Sequence, residues 1–385
     1  MKPRIKGSVA QAPTALYATT YILQSSILQT ALATLKQDCP HLKTKHLVRE
    51  LSRHGALELN RLLQGLNRYN SLKITTPKLS GVNVWSNSVA DLYCYRGEST
   101  SLLRIPLLLV PSHINRSYIL DLPEQLSFVD KLSSLGITTY VIDWKQHGVV
   151  QNFNYSKYMQ EGIGPILTYI EDREQEKPII GGYCMGGLFA TAASVIFPAL
   201  IRGLVTIATP WNFHGSGFLL PVFRPDLLKY TLDALKHFAN IPGNLLKLIF
   251  YAAHFDDINR KYIEFSTNTN NGKFGIIEHW VHDNVDLSAA LFLESIDQLF
   301  VQNQTANKTW SMCDRIIDPS QITQPSLCAI ARNDKIVPVS VSLLLPTLLK
   351  RSTIIEKQSG HLGMITSQRH CIAQNIAEWI RATFR

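Results

Sequence analysis

The chain contains 385 residues, 45% of them hydrophobic, which is enough for a large buried core. Its net charge of +9 comes from basic residues dispersed along the chain, so composition argues against a nucleic-acid partner and favours a surface that attracts anionic phosphates. No apolar run reaches the roughly 18 residues of a membrane span. The six cysteines are scattered without metal-ligand spacing, which predicts free thiols in a reducing compartment and no metal site.

The N-terminal 80 residues are predicted to be helical. Residues 15–35 carry no charge, and their apolar side chains recur every four residues, which is typical of an amphipathic helix. A cleaved secretory signal is the alternative, because basic residues precede this stretch, but polar residues interrupt its apolar centre. A second helix is predicted over residues 46–69, where Gly55 and Gly65 interrupt the apolar pattern and argue against one unbroken helix.

From residue 81 onward, apolar strands and helices alternate. Strands are predicted at residues 89–95, 106–110, 138–142 and 204–208, and helices at residues 124–135 and 155–174. The alternation predicts an α/β fold, with a mostly parallel central sheet flanked by helices. The pattern then becomes largely helical, which predicts a cap inserted into the core. The expected segments are a helical N-terminal segment at 1–80, the core at 81–212, a helical cap at 213–309 and the second part of the core at 310–385.

The segment Gly182-Tyr183-Cys184-Met185-Gly186 lies between a predicted apolar strand and a predicted helix of small apolar residues. A strand, a tight Gly-x-Cys-x-Gly turn and a helix make up a nucleophile elbow, here with cysteine where serine is usual. The glycines allow the strand and the helix to approach closely, and the helix N-terminus favours a thiolate at Cys184. The alternative is that Cys184 is a small buried hydrophobic residue without a chemical role.

Two further side chains follow Cys184 in the order that a catalytic triad needs. Asp334 follows a short buried strand at residues 325–331, and His361 lies in a loop after a second apolar segment at 353–355. A histidine can take the thiol proton and return it to a leaving group, while a carboxylate orients the imidazole. The alternatives are that Asp334 is a turn residue or helix N-cap and that His361 is an ordinary loop histidine. The order of nucleophile, acid and histidine is that of the α/β-hydrolases, which favours the triad and places the cap before the acid strand.

With these motifs the chain resembles the polyhydroxyalkanoate synthases and their close α/β-hydrolase relatives, from residue 84 to the C-terminus. The similar stretches are residues 110–122 (VPSHINRSYILDL), 182–187 (GYCMGG), 208–211 (ATPW), 278–283 (EHWVHD), 334–338 (DKIVP) and 359–361 (SGH). Two positions depart from the family pattern. Lys335 stands where many synthases have histidine, and His113 stands where members often have an apolar residue or proline. Both departures leave open whether the chain polymerises, or only hydrolyses or transfers acyl groups.

The resemblance implies a reaction and a role for each member of the triad. Cys184 is expected to attack the thioester of an (R)-3-hydroxyacyl-CoA, so that CoA leaves and the acyl group stays on sulfur. The 3-hydroxyl of a second unit then attacks this acyl-enzyme, and the polyester chain grows. His361 is expected to be the general base, and Asp334 is expected to orient His361 or to help activate the hydroxyl.

Backbone amides and cap residues complete the expected site. The oxyanion is expected to be held by the backbone N–H of Met185 and by an amide of Ser112 or His113. In the cap, Trp280 and Asp283 are expected to line the substrate pocket, with Trp280 as plain cap core as the alternative. A cap over the nucleophile excludes water, which competes with the hydroxyl acceptor.

Apart from a CoA thioester as substrate, the resemblance implies no cofactor. It implies a polyester granule surface as a partner, a homodimer or a second synthase subunit, and a location in the cytoplasm or on the granule. Two other function classes stay open at this point. One is a cysteine-dependent esterase or thioesterase that uses water as acceptor, and the other is a non-catalytic granule-associated protein.

Overall fold

The structure, a computed structural model, describes residues 44–384 except for residues 98–102, 124–125, 146–152, 217–234, 236–237 and 268–270. The chain divides into two compact units. One includes the described residues of ranges 44–74 and 254–275, and the other those of ranges 75–253 and 276–384. The amphipathic helix predicted at residues 15–35, and the cleaved signal that is its alternative, lie outside the described residues.

The helices are numbered in chain order over the described residues. They are α1 (Thr44–Asn70), α2 (Phe128–Ser134), α3 (Tyr155–Lys157), α4 (Gly164–Glu174), α5 (Gly186–Ile196), α6 (Gly243–Ala253), α7 (Phe255–Thr267), α8 (Asn271–His282), α9 (Ala289–Glu294), α10 (Gln304–Asn307), α11 (Val339–Ser342), α12 (Leu344–Leu348) and α13 (Arg369–Thr383). The strands are β1 (Val82–Ser86), β2 (Ala90–Tyr95), β3 (Leu103–Val110), β4 (Ile137–Trp144), β5 (Ile179–Tyr183), β6 (Gly203–Ile207), β7 (Asn240–Ile241), β8 (Leu287–Ser288), β9 (Ser311–Met312), β10 (Arg315–Ile316), β11 (Ser326–Ala331) and β12 (Ser352–Lys357).

Over the described residues, eight strands form one sheet in the order β1-β2-β4-β3-β5-β6-β11-β12. The pairs β1–β2 and β2–β4 are antiparallel, and every later pair is parallel. The central strands β5, β6 and β11 are buried along their whole length, as expected where helices cover both faces of a parallel sheet. The predicted α/β class and the predicted core strands are confirmed.

The helix predicted at residues 155–174 is built from three consecutive pieces. The α3 turn leads into a π-helical segment, Tyr158–Ile163, and α4 then begins at Gly164 with Pro165 in its first turn. Proline has no N–H to donate, and the first turn of a helix is where that donor is not needed. The helix predicted at residues 124–135 begins later, at Phe128, because the Oγ of Ser127 accepts the N–H of Asp130 and caps α2 there.

The helix predicted over residues 46–69 is confirmed as α1, which continues unbroken through Gly55 and Gly65. Gly65 is needed for packing: a Cβ at this position would lie 2.0 Å from the carbonyl oxygen of Tyr262 in α7. Arg68 then donates from Nη1 to the carbonyl of Phe265, 2.9 Å away, at the C-terminal end of α7. The glycine therefore reports a close helix–helix contact rather than a break.

The region predicted as the cap leaves and rejoins the sheet domain at one place. Asn303, with a left-handed φ of 48°, accepts the N–H of Phe213 through Oδ1 at 2.9 Å. Its Nδ2 donates to the Oδ1 of Asn212, also at 2.9 Å. Between these points an apolar cluster supports the region, and its buried members are Leu235, Ile241, Leu287, Ala289, Phe292 and Ile296.

Candidate active site

Cys184 occupies the turn between β5 and α5. Its φ of 55° lies in the left-handed region, where a residue with a Cβ is strained, so the surrounding structure must hold it there. The N–H of Cys184 donates to the carbonyl of Ile207 on β6 at 2.9 Å, and the carbonyl of Cys184 accepts the N–H of Gly187 at 3.0 Å. These two hydrogen bonds fix the turn at the end of the central sheet.

The glycines of the turn permit contacts that no other residue allows. A Cβ on Gly182 would lie 2.4 Å from the carbonyl oxygen of Gly186, and a Cβ on Gly186 would lie 2.0 Å from that of Val110. Strand β5, helix α5 and the end of β3 are therefore in direct backbone contact. This is the local geometry of a nucleophile elbow, in which a strained residue is presented between a strand and a helix.

Asp334 and His361 lie together after neighbouring strands β11 and β12. The Oδ1 of Asp334 accepts the N–H groups of Ile336 and Val337, each at 2.8 Å, so the carboxylate is also a turn residue as the alternative interpretation required. Its Oδ2 is paired with the Nδ1 of His361 at 2.7 Å, and the two side chains are 1% and 6% exposed. Because Nδ1 faces the carboxylate, Nε2 is the nitrogen left to exchange a proton.

The charges around His361 favour its protonated form. Burial lowers the pKa of this imidazole, but the charge of Cys184, the charge of Asp334 and hydrogen bonds to both side chains raise it to about 10 overall. Once the Cys184 thiol has given up its proton, the imidazole holds that proton firmly. The three side chains predicted as a triad therefore interact with one another.

The predicted oxyanion donors flank the nucleophile turn. Met185 directly precedes α5, and the first N–H groups of a helix have no partner within it. The other predicted donors follow Val110 and Pro111, whose backbone packs against Gly186. Ser112 shapes this segment, since its Oγ accepts the N–H of Ile114 at 3.4 Å.

The side chain of His113 is buried among aromatic rings, which the sequence did not reveal. Its ring centroid lies 5.4 Å from that of Phe189, 5.8 Å from that of Tyr155 and 6.4 Å from that of Tyr158. Burial lowers the pKa of His113 to about 3, so the ring is uncharged at neutral pH. The sequence predicted a role for its backbone amide and showed the side chain only as a departure from the family pattern.

Trp280 and Asp283 contact the segment that follows the predicted oxyanion loop. The indole Nε1 of Trp280 donates to the carbonyl of Arg116 at 2.7 Å. The Oδ1 of Asp283 accepts from the Nε of Arg116 at 3.4 Å. Trp280 is 6% exposed, as its interpretation as cap core required, and its role as a pocket residue stays a prediction.

Asp121 is a structural residue that the sequence motif contained but did not explain. It is 5% exposed, and it accepts the N–H and Oγ–H of Ser80, the hydroxyl of Tyr95 and the hydroxyl of Ser127, at 2.6, 2.9, 2.8 and 2.8 Å. Burial, and then the charge of Asp121, raise the pKa of Tyr95. A buried carboxylate with four donors fixes the 3-10 turn at Ser117–Asp121, beyond the oxyanion loop.

The described residues contain neither a candidate metal site nor a candidate membrane-spanning helix. Among the described residues, no group of three His, Cys, Asp or Glu side chains could hold a metal ion. No helix in the described ranges is both long and apolar enough to cross a bilayer. The cysteines with free thiols there are Cys94, Cys184, Cys313, Cys328 and Cys371.

Two family models match the chain. Residues 105–368 match the model described as alpha/beta hydrolase fold. Residues 11–132 match the model described as Poly-beta-hydroxybutyrate polymerase (PhaC) N-terminus. The first model covers most of the sheet domain, including all three residues of the predicted triad.

Several curated relatives are named as poly(3-hydroxyalkanoate) polymerases or their subunits. The chain is 26% identical over 288 residues to the poly(3-hydroxyalkanoate) polymerase subunit PhaC of Haloarcula marismortui, covering 71% of this chain and 60% of that protein. It is 28% identical over 337 residues to the subunit of the same name from Synechocystis sp., covering 83% of this chain and 88% of that protein. The chain thus spans less than two thirds of the length of the first of these relatives.

A solved structure shares the fold. The monoacylglycerol lipase of Paleococcus ferrophilus superposes with a TM-score of 0.50 and 18% sequence identity, covering 76% of this chain and 98% of that chain. At this identity the likeness concerns the fold alone. The chain belongs to the α/β-hydrolase fold family, and the relatives it resembles within that fold are the poly(3-hydroxyalkanoate) polymerases.

Proposed function

We propose that this chain is an acyltransferase that polymerises (R)-3-hydroxyacyl groups from CoA thioesters, with Cys184 carrying the acyl group. The observation that supports this most directly is the charge-coupled, buried arrangement of Cys184, His361 and Asp334 on the hydrolase sheet. A thiolate exchanges readily with a thioester, because the attacking and leaving sulfurs are matched. The names of the relatives supply the substrate class.

The first half of the reaction transfers the acyl group to the enzyme. The thiol proton of Cys184 moves to the Nε2 of His361, and the thiolate attacks the thioester carbonyl to form a tetrahedral oxyanion. The N–H of Met185 and an amide of the loop at Ser112 or His113 bind this oxyanion. Collapse breaks the bond to the CoA sulfur, and His361 returns the proton to the leaving CoA thiolate.

The second half makes the ester bond. His361 removes the proton from the 3-hydroxyl of an incoming hydroxyacyl unit, the alkoxide attacks the acyl-enzyme, and the thiolate of Cys184 leaves and recovers the proton. Each cycle forms one ester and releases one CoA thiol, so no redox partner is needed. The oxygens of Asp334 are both engaged, by two backbone N–H groups and by His361, which supports an orienting role for this carboxylate.

The proposal extends to partners and location. The reaction described needs no cofactor beyond the CoA thioester that it consumes. We propose that the chain works at the surface of a polyester granule in the cytoplasm, as a homodimer or with a second synthase subunit. The support for a second chain is that the relatives are named as subunits.

CoA release from (R)-3-hydroxybutyryl-CoA by the purified protein tests the activity, with Cys184→Ala alongside and the product separated by size. CoA release with oligomeric or insoluble product, abolished in the variant, is the expected result. CoA release with only free 3-hydroxybutyrate would replace the proposal by a thioesterase that uses water as acceptor. If no CoA is released by the protein alone or with a synthase subunit added, across several acyl chain lengths, the non-catalytic alternative is favoured.

A further inference from the structure

The side chain of His113 has properties that the backbone role in oxyanion binding does not explain. The residue is 2% exposed, and its Nδ1 is buried without a hydrogen-bond partner among the described residues. An unpaired buried polar atom lowers stability, a cost that a phenyl ring in the same aromatic environment would avoid. An exception of this kind in a well-packed interior calls for a functional reason.

The ring of His113, which belongs to the predicted oxyanion loop, contacts the nucleophile helix α5 and the short helix α3. Phe189 belongs to α5, one turn beyond Cys184, and meets the imidazole at an interplanar angle of 89°. Tyr155 meets it at 80° on another side. Edge-to-face contacts of this kind fix the angle between rings as well as their separation.

Tyr155 is itself anchored in the region predicted as the cap. Its N–H donates to the Oε2 of Glu294 at 3.1 Å, and its hydroxyl is hydrogen-bonded to the Oγ of Ser295 at 2.9 Å. Burial raises the pKa of Glu294, although the N–H of Tyr155 and the side-chain amide of Gln298 donate to its carboxylate. His113 therefore lies where the predicted oxyanion loop, the nucleophile helix and the start of a π-helical cap segment meet.

We infer that His113 is a positioning residue for the proposed acyl transfer, in which its ring sets the distance between the loop amides of Ser112–Ile114 and Cys184. The inference rests on the proposed function. The ring acts through the loop: its Nδ1 is closed off from solvent, so this nitrogen is not a contact for an incoming substrate in this conformation. It stays uncharged over the neutral range, so it is not a second proton carrier.

The inference has a measurable consequence because oxyanion binding depends strongly on distance. Donors must lie about 2.7–3.1 Å from the oxyanion, and removal of one donor lowers kcat by about 100- to 1,000-fold. If the ring is removed, the loop can relax toward α5, and the distance between its amide and the oxyanion leaves this range. The nucleophile itself is held by separate hydrogen bonds to Ile207 and Gly187, so its reactivity should survive.

Two reactions of the same sulfur separate these effects. Alkylation of Cys184 by iodoacetamide needs the thiolate and no oxyanion, whereas acylation by p-nitrophenyl butyrate passes through a tetrahedral oxyanion. For His113→Ala we expect kcat for acylation to fall about 10- to 100-fold, with KM and the alkylation rate within about twofold of the wild type. His113→Phe restores a ring that packs against Phe189 and should recover most of the lost rate, with a higher melting temperature.

Ile376→Ala is the matched control, since Ile376 is fully buried in α13 and its truncation lowers stability without touching the loop. The inference would be overturned if the rates of acylation and alkylation fell together in His113→Ala, or if neither rate fell. It would also be overturned if a folded His113→Phe were acylated as slowly as His113→Ala. The same holds for a wild type that is alkylated but never acylated. A wild type that reacts with p-nitrophenyl butyrate but releases no CoA from hydroxyacyl-CoA substrates of several chain lengths, alone or with a synthase subunit added, would refute the proposed function and leave the role of His113 to be judged by the variants.

Discussion

The predicted oxyanion loop is held on its two sides by contacts of different kinds. On the nucleophile side, the carbonyl of Val110 lies so close to Gly186 that a Cβ there would be 2.0 Å away. On the other side, Arg116 is held by Trp280 and by Asp283, and the ion pair is 31% and 22% exposed. Backbone contact admits no rearrangement, while a solvent-exposed ion pair is worth about 0–1 kcal/mol. One side is therefore fixed by backbone packing, and the other by a single hydrogen bond from Trp280 and an ion pair that solvent weakens.

The largest effect is expected on the nucleophile side of the loop, at the pair formed by Asp334 and His361. Asp334→Asn keeps the shape of the side chain but presents an amide to Nδ1 of His361, which favours the wrong imidazole tautomer. We expect CoA release from (R)-3-hydroxybutyryl-CoA to slow by about 1,000- to 10,000-fold, measured by stopped-flow thiol detection. Asp318→Asn is the control, because Asp318 likewise accepts a backbone N–H, from Ser320 at 2.9 Å. A loss below tenfold in Asp334→Asn would argue that the carboxylate does not orient His361.

The next effect tests the backbone contact itself. Gly186→Ala places a Cβ 2.0 Å from the carbonyl oxygen of Val110, and we expect it to lower the free energy of unfolding by roughly 3 kcal/mol or more. Gly360→Ala is the matched control, since its Cβ would have no heavy atom closer than 3.7 Å. That variant should be as stable as the wild type or about 0.5 kcal/mol more stable. Equal urea midpoints for the two variants would show that the turn is not closely packed.

A smaller effect is the dependence of stability on pH that the charge of His361 causes. The pKa of His361 is about 10 in the folded protein against an ordinary 6.5, so protonated His361 stabilises the fold fully below pH 6.5, and this contribution is lost as the pH rises through 10. The difference in unfolding free energy between the wild type and His361→Gln should therefore shrink from pH 6.5 to pH 10. In a Cys184→Ala background it should shrink less, because the charge of Cys184 is the largest of the contributions that raise this pKa. A difference that grows with pH would contradict the coupling.

The smallest effects are expected on the side of the loop where Trp280 and Asp283 contact Arg116. Trp280→Phe removes the 2.7 Å hydrogen bond to the carbonyl of Arg116 and should cost about 1–2 kcal/mol. Asp283→Asn removes one charge of a partly exposed pair and should cost less than about 1 kcal/mol. High salt should reduce the cost of Asp283→Asn and leave that of Trp280→Phe unchanged, as measured by urea unfolding. If Asp283→Asn were as damaging as Gly186→Ala, the two sides of the loop would not differ as described.

The parts of the site that the sequence predicted are those set by local pattern. Gly182 and Gly186 mark the tight turn, and Asp334 and His361 follow apolar strands whose order along the chain is characteristic. Parallel strands buried on both faces are continuous apolar runs, which can be recognised in the sequence of each strand alone. For these features, sequence position and spatial position are closely linked.

The parts that could not be predicted depend on partners far along the chain. The close approach of Gly65 to Tyr262 is not visible in the sequence of α1 alone, where this glycine only interrupts the apolar pattern. The rings around His113 come from residues 155–189, and the donors to Asp121 come from three separate segments. A residue type in a motif indicates that something is buried, but only the fold supplies what it is buried against.

The hydrogen bonds of Asn303 have a consequence for engineering. Because Asn303 is hydrogen-bonded to Asn212 and Phe213, the two ends of the segment predicted as the cap lie next to each other, at a junction called the seam below. The entropy of closing a loop rises only slowly with its length, so the length of the segment between those two points should matter little. The segment can then be exchanged between relatives, provided that the asparagine pair and the contacts of the segment with Arg116 and Tyr155 are kept. A chimera built at this seam would reveal whether acyl-chain preference travels with the segment or stays with the sheet.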